Sequence, residues 1–126
     1  MNDARNNATS DREDLAPLHL FEYDHQPGSY CLMLTDDAMV ATQEIFTALG
    51  YDGCGYGWAG VARSVLHHRA PELAGRMGFD PEAGMFVAYG DDPEALRLLG
   101  VHLRRALTDR EALRELIESG EPDWFD

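Results

Sequence analysis

Lysine is missing from this chain: all ten basic residues are arginine, set against 23 acidic ones, for a formal net charge of −13. Recognition of nucleic acid through its phosphates needs clustered positive charge, so that class of function is disfavoured. No apolar run approaches the ~18 residues of a spanning helix, and no membrane partner is expected. Met1 is followed by Asn, Asp, Arg, Asn and Asn rather than by a basic start and an apolar block. An export signal is therefore not expected, and the chain is expected to stay in the cytoplasm. Cysteine is scarce, with only Cys31 and Cys54. Neither belongs to a CxxC pair or lies within a few residues of a histidine, so neither a zinc site nor a disulfide is expected in a reducing compartment.

With 126 residues, 44% of them hydrophobic, the chain fits one domain of ordinary globular composition. Residues 1–15 are polar, charged and without periodicity, the composition of a disordered tail. A single domain is expected over 16–120, and 121–126 form an acidic tail that carries Trp124 and Phe125. Those two rings either pack back onto the domain or offer a contact to a partner. There is no internal repeat and no interdomain linker. The acid excess suits solubility, or complementarity to a basic partner whose encounter it would accelerate.

The stretch that organises the rest is Gly50-Tyr51-Asp52-Gly53-Cys54-Gly55-Tyr56-Gly57-Trp58. Four glycines at every second or third position suit no regular helix or strand, and each costs roughly 0.5–1 kcal/mol against alanine in regular structure. Burial of the rings of Tyr51, Tyr56 and Trp58 is the expected compensation, since each removes on the order of 150–250 Å² from water. A rigid corner of glycines and aromatics is predicted, with Gly53, Gly55, Tyr56 and Trp58 as its structural residues.

Around it the elements follow in order. Leu18 to Tyr23 and Ser29 to Thr35 read as strands joined by Asp24-His25-Gln26-Pro27-Gly28, where Pro-Gly is a hairpin signal. Thr35 or Asp36 caps a helix whose stripe is Ala38, Ala41, Ile45, Phe46 and Leu49, with Gly50 as its stop. Trp58, Val61, Ala62, Val65 and Leu66 mark one buried face of a second helix, ending before Ala70-Pro71. A short helical piece from Pro71 to Met77 is expected next. Met85 to Tyr89 is apolar at nearly every position, which predicts a central strand covered on both faces. Asp92, Pro93 and Glu94 start a helix with Leu96, Leu99, Leu103 and Leu107 inward. Thr108-Asp109-Arg110-Glu111 reads as a capping box for a last helix, which buries Leu113, Leu116 and Ile117. The order ββααβαα predicts an α+β fold: a small, about three-stranded, mainly antiparallel sheet with helices mostly on one face.

Chemistry is sparse. Gly53, Gly55 and Gly57 lead into a helix, yet no Lys-Ser/Thr pair follows and no strand precedes, so neither phosphate-binding fingerprint is present. His67 and His68, adjacent on a helix, point about 100° apart and cannot serve one metal as i, i+4 histidines do. His19, His25 and His102 are scattered. Asp80 and Glu82 flank Pro81 and form the one candidate carboxylate pair for acid/base work. The reading adopted is structural, with Asp80 and Glu82 joining the motif of the corner as carboxylates that accept backbone N–H groups in the turn or at the start of the second helix. Cys54 has no evident base to activate it.

The glycine corner, followed by Phe79-Asp80-Pro81-Glu82-Ala83-Gly84-Met85-Phe86, resembles the immunity protein 51 family of bacterial polymorphic toxin systems, over roughly Leu18 to Ile117. Two positions depart from the pattern: Cys54 stands where asparagine is expected, and Gly57 where a polar residue is. The resemblance implies a non-catalytic protein that binds a cognate toxin and neutralises it, with no cofactor. A basic nuclease toxin would match the charge of −13. Exposed acids and aromatics would then meet it, with Tyr51, Asp52, Asp91, Asp92 and Trp124 as candidate contacts. The alternative is a small metal-dependent or acid/base enzyme that uses Asp80, Glu82 and a histidine.

Overall fold

Gly28 takes the left-handed conformation, φ +89°, that the Pro-Gly signal demands of it. It closes the hairpin between β1 (His19–Glu22) and β2 (Tyr30–Thr35), where Phe21 stands opposite Cys31 and His19 opposite Met33. This is a computed structural model, and it describes residues 15–126. The expected tail therefore lies outside the described residues except for Leu15, which is fully buried in the core.

The first helical stretch is interrupted. It comprises α1 (Asp36–Met39), a 3-10 turn (Val40–Thr42) and α2 (Gln43–Ala48). The break coincides with the Thr42 hydroxyl donating to the Met39 carbonyl at 3.1 Å, the kind of local bond that competes with the helix ladder. Gly50, φ +91°, ends the stretch. Next come α3 (Gly55–His68), a 3-10 turn (Pro71–Leu73) in place of the longer helical piece expected, β3 (Gly78–Phe79) and β4 (Met85–Gly90). The chain closes with α4 (Pro93–Thr108), α5 (Arg110–Ser119) and a 3-10 turn (Pro122–Phe125).

Four strands rather than about three form the sheet, in the order β1-β2-β4-β3, every pair antiparallel. The added strand, β3, has two residues, too few to show any alternation in sequence. The last helix also starts one residue later than the capping box implied. Asp109 accepts from the N–H groups of Glu111 and Ala112, whereas Thr108 is the final residue of α4 and its hydroxyl donates back to the Arg104 carbonyl.

The register sorts the sheet into two faces. Leu32, Leu34, Phe86 and Ala88 point one way and are fully buried beneath the helices, with Trp58, Phe46, Leu96, Leu99 and Leu103. Cys31, Met33, Val87 and Tyr89 point the other way, and among the described residues no helix covers them. The expectation that β4 is covered on both sides is thus corrected in one respect: no described helix lies over the second face, although Val87 there is buried. Its position is central, and on that second face the neighbouring Cys31 is buried too, while Tyr89 is exposed.

Candidate functional site

The corner is built around close backbone approach. Gly55 opens α3 and donates its N–H to the Ala83 carbonyl at 3.0 Å. A side-chain carbon at Gly55 would collide with the carbonyls of Glu82 and Met85, and one at Gly57 with the carbonyl of Asp52. The Gly53 N–H donates to Oε1 of Gln43 at 3.0 Å, a tie that sequence reading missed because it joins residues ten apart through a side chain. Trp58 is fully buried against Phe46, ring centroids 5.7 Å apart. Its indole Nε1 has no hydrogen-bond partner among the described residues. Tyr56 does not share that burial. It is 39% exposed, because residues two apart on a helix point about 200° apart, so only one of Tyr56 and Trp58 faces inward.

The Asp80-to-Gly84 turn does meet the corner, but through its main chain. Glu82 and Met85 bond each other through N–H and carbonyl, at 2.7 and 3.2 Å, and the Ala83 carbonyl receives Gly55. The start of α3 has no side-chain cap, so the expected capping by the carboxylates of Asp80 and Glu82 gives way to one backbone carbonyl, that of Ala83, which accepts from Gly55. Both carboxylates stay exposed. Asp80 extends the sheet, its N–H donating to the Val87 carbonyl at 2.9 Å.

The candidate contact residues fall into separate places. Tyr51 is half-buried and stacks on Phe125 at 4.6 Å, beside exposed Asp52, in a cleft of about 500 Å³ that Cys54 and Tyr56 also line. Phe125 is buried and its ring occupies the space that a side chain at Gly60 would need. Trp124 is half-buried, 5.4 Å from the His67 ring. The terminal aromatics therefore pack back onto the domain. Asp92 caps α4 by accepting from the Ala95 N–H at 3.1 Å and pairs with Arg76 at 3.1 Å. Asp91 is exposed and lines a different cleft, of about 670 Å³, together with Asp80, His25, Tyr23, Tyr30 and Tyr89.

On that helix-free side the phenol of Tyr23 is pushed up to about 12, chiefly by a hydrogen bond with the Cys31 thiol, then by burial, and then by the negative charges of Cys31 and Asp80. Burial raises the Cys31 thiol, with the Tyr23 bond opposing it. Cys31 and Cys54 are both free. Among the described residues no three His, Cys, Asp or Glu side chains gather as metal ligands. His67 and His68 touch edge to face, and Nε2 of His68 donates to the Ser119 carbonyl at 2.9 Å. His102 is held below the ordinary imidazole range by burial, with Glu72 opposing and Arg69 and Arg105 adding to the effect.

No described helix is long and apolar enough to cross a membrane. Neither a curated protein nor a solved structure matches the chain. The profile of the family described as Immunity protein 51 matches residues 18–122, a span that takes in the glycine corner, the turn that meets it and every strand of the sheet. This chain belongs to the Immunity protein 51 family.

Proposed function

We propose that the protein acts in the cytoplasm of a bacterium, where it binds a cognate toxin and blocks it as a non-catalytic inhibitor. Membership of the family over residues 18–122 carries this reading. Two features support it. The charge of −13 favours encounter with a basic partner, such as a nucleic-acid-cutting toxin, through long-range steering. The conspicuous side-chain packing at the glycine corner is structural: Trp58 fills the core and the glycines admit backbone, so the corner offers rigidity rather than a reactive group.

The acid/base alternative asks Asp80, Glu82 and a histidine to face one cleft. Asp80 and His25 line the larger cleft and Glu82 does not, which favours the inhibitor. The test is co-expression with the toxin module encoded beside the gene. Rescue of growth and co-purification of the two chains are expected. A turnover that disappears in the Asp80→Asn, Glu82→Gln double variant, with stability intact, would overturn the non-catalytic view.

A further inference from the structure

The side of the sheet that no described helix covers is apolar in its middle, where Cys31 and Val87 are buried, and carries exposed rings at Phe21 and Tyr89. Across it run Phe21, Cys31 and Tyr89 in one row and His19, Met33 and Val87 in the next. Tyr23 continues the face beyond β1, its ring edge-on to Phe21 at 5.8 Å. Antiparallel sheets that face water ordinarily alternate apolar inward with polar outward. Here Phe21 is 39% and Tyr89 45% exposed, and such clustering of aromatics on an open face marks interaction surfaces.

Tyr89 is held rather than loose. It stands opposite Gly78 in the register, and its ring lies where a side chain at Gly78 would be, 2.5 Å from the position of that missing carbon. An exposed ring seated on a neighbouring glycine is preorganised, and little rotamer freedom remains to be lost on binding. Beside it, two exposed carboxylates, Asp80 and Asp91, line the same cleft. The one arginine lining the cleft, Arg76, is already paired with Asp92 at 3.1 Å. A flat aromatic ring flanked by carboxylates matches one chemistry best: a guanidinium stacks on the ring face and bonds a carboxylate through its planar fork.

We infer that this helix-free face is the toxin-contact surface, and that the cleft between Tyr89, Asp80 and Asp91 receives an arginine side chain of a basic toxin. The inference rests on the proposed function and names where and how that contact is made. Charge selects the occupant. The pair of carboxylates, in a chain with a net −13, disfavours a second copy of the same acidic face, since like charges would meet across a two-fold axis.

Two measurements test it. In the first, the full chain is titrated with a capped Gly-Arg-Gly-Arg-Gly peptide and with its norleucine counterpart, followed by amide NMR. Shifts at Gly78, Asp80, Tyr89 and Asp91 with the arginine peptide alone are expected; no shift, or the same shifts with norleucine, would overturn the arginine cleft. In the second, wild type, Tyr89→Ala and the Asp80→Asn, Asp91→Asn double variant are compared for toxin affinity and growth rescue. Thermal unfolding of each serves as the folding control, and the double carboxylate variant covers the case in which Tyr89→Ala fails to fold. A loss of about tenfold or more in each folded variant is expected, with the carboxylate variant also showing a weaker salt dependence of the on-rate. Wild-type binding with both variants within about twofold would sink the surface assignment and leave the inhibitor reading intact. A wild type that neither binds nor rescues would sink both. Concentration-dependent dimerisation that shifts the same amides would make a second copy the occupant, against the inference.

Discussion

Replacing Gly55 by alanine sets a local effect against a tertiary one of opposite sign. Gly55 is the first residue of α3 and has no positive φ, so helix propensity alone predicts a gain of roughly 0.5–1 kcal/mol. The fold predicts a loss. The new methyl carbon would lie 2.8 Å from the Met85 carbonyl carbon, with the Met85 and Glu82 oxygens closer still, where ordinary carbon contacts are ~3.5–4.0 Å. These atoms belong to the backbone bridge between Glu82 and Met85, so no side chain can rotate aside. The turn must retreat by about 1 Å, which stretches the 3.0 Å bond from Gly55 to Ala83 beyond useful length. Overpacking of this kind costs about 1–3 kcal/mol and the lost bond about 1 more, so the net destabilisation is about 1–3.5 kcal/mol after the propensity gain. At about 4 °C per kcal/mol the melting temperature should fall by roughly 4–14 °C. Calorimetry with a urea titration measures it. Gly75→Ala, at φ +84° with open space around it, is the contrast, with strain of about 1–2 kcal/mol and no clash. A Gly55→Ala protein that melts at or above the wild-type temperature would refute the close-approach account.

Trp58→Ala should cost about 3–5 kcal/mol through the cavity it leaves, read as a lower urea midpoint, and an unchanged midpoint would contradict the corner's role as core. Phe125→Ala should cost a similar ~3 kcal/mol, since the ring is 5% exposed, stacks on Tyr51 and fills the space above Gly60. Ultraviolet absorbance should show Tyr23 ionising near pH 12, and Cys31→Ala should bring it down toward the ordinary 10.0. Because the fold favours the neutral phenol, that contribution to stability is complete below pH 10.0 and is lost as pH climbs toward 12. His102 runs in the opposite direction: the fold favours neutral imidazole, so its contribution is present above the ordinary 6.5 and declines as pH falls through the lowered value. His102→Gln should flatten that acid limb in denaturation curves taken from pH 8 to 5.

Features set by neighbours in sequence were legible before the fold was known. The hairpin at Pro27-Gly28, the Asp92 cap of α4 and the inward leucines of α4 and α5 follow from turn chemistry and helical periodicity, and the structure has them. Errors came where two local signals competed or a distant partner decided. Both Thr108 and Asp109 suit a cap, and the end of α4 takes the first while the second does the capping. Asp80 and Glu82 read as carboxylates that cap the free N–H groups of α3, whereas the Ala83 carbonyl of their turn receives Gly55 instead. Tyr56 and Trp58 share a motif yet sit on opposite sides of α3.

The sequence by itself determined the acid excess, the order of most elements, the glycine corner and the membership of a family, because composition, period and spacing are properties of a chain read end to end. Only the tertiary structure decided which side of β4 the helices cover, that Gly78 seats Tyr89, and that Asp80 and Asp91 share a cleft while Asp92 is spent on a cap and an arginine. Those facts depend on strand register and on residues far apart in the chain meeting in space, and an apolar strand looks the same in sequence whether one face or both are covered.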